Sequence, residues 1–116
     1  MDQSDLLPRL KERINEATDA AELDQLREDS LTAWKHGDIM PSDVEDLMLL
    51  VRHRRAYNRE TLAAERRKEI ADCQTIEALN AAAIGVKQDW SRDRINQTQF
   101  TTLCDAGRKR REELTQ

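Results

Sequence analysis

At 116 residues the chain has the length of one domain; 36% of it is charged, 38% apolar and only 3% aromatic, with three Gly, two Pro and two Cys. No apolar stretch approaches the roughly 20 residues that cross a bilayer, and the acidic, polar opening Met1–Asp5 is unlike a secretory signal, so a cytoplasmic protein is expected. The net charge of −4 hides a segregation: residues 1–46 hold 13 acidic and five basic side chains, residues 47–116 hold 10 and 14.

The first predicted element is a short helix from a Ser4 cap to about Ala17, with Pro8 tolerated in its opening turn. Asp19 and Glu22 read as a capping box for a second helix, along which Leu23, Leu26, Ser30 and Trp34 recur at helical spacing until Gly37 ends it. Pro41 and a Ser42–Glu45 box start the third. Residues 52–73 contain no Gly or Pro, so that helix is expected to run from about Ser42 to Cys73. At about 1.5 Å per residue it would span about 45 Å and set the shape of the molecule; a break at Tyr57–Asn58–Arg59 is the alternative. Thr75 caps a fourth helix bearing Ile76, Leu79, Ala83, Val86 and Trp90, and after a loop holding Ile95 a further helix carries Phe100, Leu103 and Ala106. Sustained period-two alternation is absent, so the fold class is all-α, a small helical bundle.

An ungapped shift of 56 residues places Ile14 on Ile70, Leu23 on Leu79, Trp34 on Trp90, Ile39 on Ile95 and Leu47 on Leu103. Arg52, Arg54 and Arg55 fall on Arg108, Arg110 and Arg111. One helical domain over 1–116 is therefore expected to contain two tandem units, about 2–57 and 58–113. The tryptophans, on either side of their loops from Ile39 and Ile95, read as core residues closing against Val44 and Phe100.

Val44–Val51 is apolar at six of eight positions, too many for one helix face. Met48, Leu49 and Leu50 are accordingly candidate interface residues, with burial against the other unit as the alternative. Only 23 residues are Leu, Ile, Val or Phe, so a thin core and a partner surface are expected, most simply in a homodimer. Asp24, Glu28, Asp29, Asp43, Glu45 and Asp46 form a candidate acidic face towards a basic partner. Arg52, Arg54, Arg55, Arg108, Arg110 and Arg111 are the candidate nucleic-acid contacts, although interleaved acids favour a solvated face or a match to the acidic first half. His36, His53, Cys73 and Cys104 are too widely spaced for a zinc site, and the two cysteines read as free thiols. No catalytic residue, metal or cofactor is expected.

The succession Ile14, Ala17, Asp19, Leu23, Trp34, Ile39, Ser42, Val44, Leu47 and Arg52, repeated 56 positions later, resembles short helical-hairpin modules of phage and mobile-element accessory proteins. The resemblance implies a small non-enzymatic protein that binds and modulates or inhibits a host protein or nucleoprotein complex, such as a host-defence system. A nucleic-acid-binding accessory factor and a structural assembly subunit are the alternatives.

Overall fold

A computed structural model describes residues 5–116, and the Ser4 cap lies outside the described residues. Among these are five α-helices and no strand: α1 Leu6–Glu16, α2 Ala20–Lys35, α3 Pro41–Asp72, α4 Ile76–Ser91 and α5 Gln97–Thr115. None of them is long and apolar enough to cross a membrane. By internal contacts the chain divides into two compact units, Met1–Asn58 and Arg59–Gln116, and α3 runs through the division without the break at Tyr57–Arg59.

In the first unit, Asp19 caps α2 by accepting the Ala21 N–H at 3.1 Å, one residue earlier than the acceptance that defines a capping box. The buried stripe of α2 is Leu23, Leu26, Ser30 and Ala33, and the Ser30 hydroxyl is satisfied by donating to the Leu26 carbonyl at 2.8 Å. The helix closes in a Schellman turn: Asp38 N–H bonds the Ala33 carbonyl and Gly37 N–H the Trp34 carbonyl, both at 2.9 Å, with Gly37 at φ +79°. Pro41 is itself helical, so Ser42 sits inside the first turn of α3 and the expected Ser42–Glu45 box gives way to Asp43, whose carboxylate accepts the Met40 N–H at 2.9 Å. Leu10, Ile14, Ala17, Leu23, Leu26, Ala33, Ile39, Leu47 and Val51 make the core.

In the second unit, Thr75 caps α4 by accepting the Ala78 N–H at 3.1 Å. Its buried stripe is Leu79, Ala82, Val86 and Asp89, so the expected Ala83 is replaced on the inside by Ala82. The closing Schellman turn has the Arg94 N–H on the Asp89 carbonyl at 2.8 Å and the Asp93 N–H on the Trp90 carbonyl at 3.1 Å. Here the left-handed residue is Asp93, φ 58°, held by Arg59, which donates to its carboxylate at 2.9 Å. A reciprocal capping box of Asn96 and Gln99, at 2.8 and 3.0 Å, starts α5. The core is Ala63, Ile70, Cys73, Leu79, Ala82, Val86, Ile95 and Leu103.

The tryptophans correct the sequence reading. Trp34 is 44% and Trp90 40% exposed, because steps of three, four and three along α2 and α4 bring Ala33 and Asp89 inward and leave the next residue at the margin. Trp90 does close on Phe100, stacked with ring centroids 4.3 Å apart and planes 13° off parallel.

Candidate functional site

The six candidate nucleic-acid arginines are divided between fold and surface. Helix α1 ends at Ala17, whose carbonyl would otherwise lack a partner; Arg54 Nε donates to it at 2.7 Å and Asn58 Nδ2 at 3.0 Å. The guanidinium of Arg54 also lies 4.8 Å over the ring of Tyr57. Arg55 pairs with Asp24 at 2.6 Å. In the second unit Arg110 forks onto the Cys73 carbonyl, just past the end of α3, at 3.0 and 2.8 Å, and Arg111 bonds Asn80. Four of the six candidate nucleic-acid residues thus tie helices to one another within their units. Arg52 is exposed, and Arg108 keeps 73% of its side-chain surface beside Asp105 at 3.5 Å.

The acidic candidates are similarly divided. Asp24 belongs to the Arg55 pair, Asp29 accepts from Gln25 at 2.9 Å and Asp43 starts α3. Glu28 lies 3.6 Å from Arg27, and Glu45 and Asp46 are exposed on α3. Of the three interface candidates, Met48 and Leu50 pack against the core of their own unit, while Leu49 stands 48% exposed. Among the described residues no group of three or more His, Cys, Asp or Glu could hold a metal ion.

Sequence reasoning missed two features of the second unit. The first is an ion pair on a buried carboxylate. Asp89 is 2% exposed and receives Arg66 Nε at 2.6 Å, with Arg94 at 3.9 Å. Gly85 makes the approach possible: a β-carbon there would come within 2.9 Å of the Arg66 guanidinium. The hydrogen bond to Asp89 raises the arginine's pKa above its ordinary value, against a burial that acts the other way. Glu69 adds a second carboxylate to the guanidinium at 3.0 Å.

The second feature is an open groove of about 340 Å³ lined by Ile70, Leu79, Ala83, Val86, Leu103, Cys104, Gly107, Arg108 and Arg111. Its floor is core aliphatic surface, and its α5 wall is cut away at Gly107, where nothing lies within 4 Å of the missing β-carbon. Glycine inside a helix costs about 1 kcal/mol against alanine, so the opening is held at an energetic cost. Two guanidinium groups and the exposed Cys104 thiol stand on that wall. The 56-residue comparison carried the signal, since Ala83, Cys104 and Gly107 stand where the first unit has Arg27, Met48 and Val51. An apolar floor with a cationic rim can take a side chain or helix face that is apolar at its centre and acidic at its edge. Comparisons with protein-family models, curated proteins and solved structures find no match to the chain.

Proposed function

We propose that the chain is a non-enzymatic protein-binding module made of two tandem copies of one three-helix unit, with the groove of the second copy as its docking site. The duplication is supported by hydrogen bonds that recur in register. Arg54 to Ala17 and Arg110 to Cys73 both span 37 residues; Arg55 to Asp24 and Arg111 to Asn80 both span 31. The left-handed residues of the two Schellman turns, Gly37 and Asp93, are also 56 positions apart. The docking reading is carried by one observation: the second unit keeps a mid-helix glycine and an open apolar floor where the first has the buried Val51. A small accessory protein that modulates or inhibits a larger host assembly, the class implied by the resemblance to phage helical-hairpin modules, fits such stoichiometric binding.

The competing nucleic-acid reading is weakened because Arg54, Arg55, Arg110 and Arg111 are spent on internal contacts. With Arg52 and Arg108 as the remaining members, replacing both should leave the log–log salt slope of any binding to duplex or single-stranded DNA unchanged. A steep slope, lost on replacing Arg52 and Arg108, would favour that reading instead.

The docking site is tested with a photo-crosslinker on the exposed Cys104 thiol, for which the buried Cys73 does not compete. The expected result is capture of a partner in stoichiometric amounts that disappears on Gly107→Val, with helicity unchanged. Equal capture from a label placed at Gln88→Cys in a Cys104→Ser background would overturn it.

A further inference from the structure

The groove is rimmed by positive charge, and the first unit displays a helix face of opposite sign. On α3, Glu45 and Asp46 lie four and three residues before Leu49, so the three side chains share one face. Both acids are exposed, and Leu49 keeps 48% of its surface open although it belongs to the most apolar stretch of the chain. The groove supplies what this face lacks: aliphatic surface from Leu79, Val86 and Leu103, and beside it the exposed Arg108.

We infer that the groove is occupied by the Glu45–Asp46–Leu49 face of a second copy of this chain. Leu49 enters over Gly107, where the absent side chain lets a helix come close, and the two carboxylates meet Arg108, the rim guanidinium that keeps 73% of its side-chain surface. The inference rests on the docking reading above and names its occupant. Burial of Leu49 and the groove floor supplies the affinity, whereas the solvent-exposed charges set register and speed of approach and contribute little to tightness. Because one surface of a copy meets a different surface of the next, a single such contact is heterologous, whereas a pair that makes it twice is isologous. Two copies that exchange it form a closed pair, and copies that make it once each form an extending array.

Sedimentation of the full chain from low to high micromolar concentration tests this. Concentration-dependent association is expected, with Kd raised by about tenfold or more in a Glu45→Lys, Asp46→Lys variant and brought back by adding Arg108→Glu. Leu49→Asp should abolish association while circular dichroism stays that of the parent, since the residue is half exposed. A wild-type chain that is monomeric throughout, or a charge reversal that Arg108→Glu fails to rescue, overturns the inference. If the chain is monomeric while Gly107-dependent capture from Cys104 persists, a foreign protein is the occupant: the docking reading stands and the second copy is excluded. If Gly107→Val alters neither association nor capture, both fall.

Discussion

The two units solve one packing problem with different chemistry. Where the first places Leu10 and Ala33 in its core, the positions 56 residues on are Arg66 and Asp89, a guanidinium and a nearly inaccessible carboxylate. The buried carboxylate must recover its desolvation through geometry, and here it does so with a 2.6 Å bond to the half-buried Arg66, which Glu69 also holds and for which Gly85 leaves room. Removing one partner is therefore far more costly than replacing both.

The largest effect expected is from Asp89→Ala. It leaves Arg66 facing the space of its lost partner and should destabilise the second unit by about 3 kcal/mol, read from urea unfolding followed by Trp90 fluorescence in a Trp34→Phe background. Adding Arg66→Leu, which restores the pairing of residue types found in the first unit, should recover most of that loss. If the double variant is as unstable as the single one, the comparison of the two cores fails.

The arginine ties give the next contrast. The Cys73 carbonyl receives two bonds from Arg110 alone, whereas the Ala17 carbonyl is shared by Arg54 and Asn58. Arg110→Ala should thus cost about 2 kcal/mol and Arg54→Ala about 1 kcal/mol, with Arg110→Lys a poor substitute because an ammonium cannot present the fork. Equal losses would mean that Asn58 carries no share of the first tie. At the turns, Gly37→Ala should cost about 1 kcal/mol because the residue is left-handed, while Asp93→Gly should be nearly neutral, relief of the backbone offsetting the lost contact to Arg59. The smallest expected change has the opposite sign: Gly107→Ala should raise stability by up to about 1 kcal/mol, since the new methyl group meets nothing.

Much of this architecture was legible because it follows from local rules. Caps at Asp19 and Thr75, the stop at Gly37 and the unbroken α3 are consequences of side-chain donors, backbone freedom and the lack of helix breakers within a few residues. Apolar spacing gave the inner faces to within one residue, and it failed at Trp34 and Trp90 because a helix of 3.6 residues per turn admits both a three and a four at the end of a stripe. Among the arginines, the Arg55–Asp24 pair is the match to the acidic first half that the charge pattern favours, whereas Arg54 and Arg110 bond backbone carbonyls 37 residues away, and no composition or local pattern reports a carbonyl left over at a helix end. Asp89 was invisible for the same cause, its partner lying 23 residues earlier.

The groove leaves its trace in the sequence as a deficit and not as a surplus of apolar side chains. The apolar surplus at Val44–Val51 drew attention to the first unit, yet Met48 and Leu50 turn inward there and only Leu49 is left out. The telling difference is the deficit in the second unit, where Cys104 and Gly107, 56 positions on from Met48 and Val51, leave the groove open. A shortage of side-chain volume is as informative as an excess once two units of the same length are set side by side.

The unbroken course of α3 bears on how a protease would dismantle the protein. Seven basic residues lie between Arg52 and Lys68, a dense row of tryptic bonds, but a cleaved bond must first be unwound into an extended strand, and the helix offers no ready-made opening there. Digestion should begin instead at Arg92 and Arg94, in the turn between α4 and α5, and spare the stretch that joins the two units.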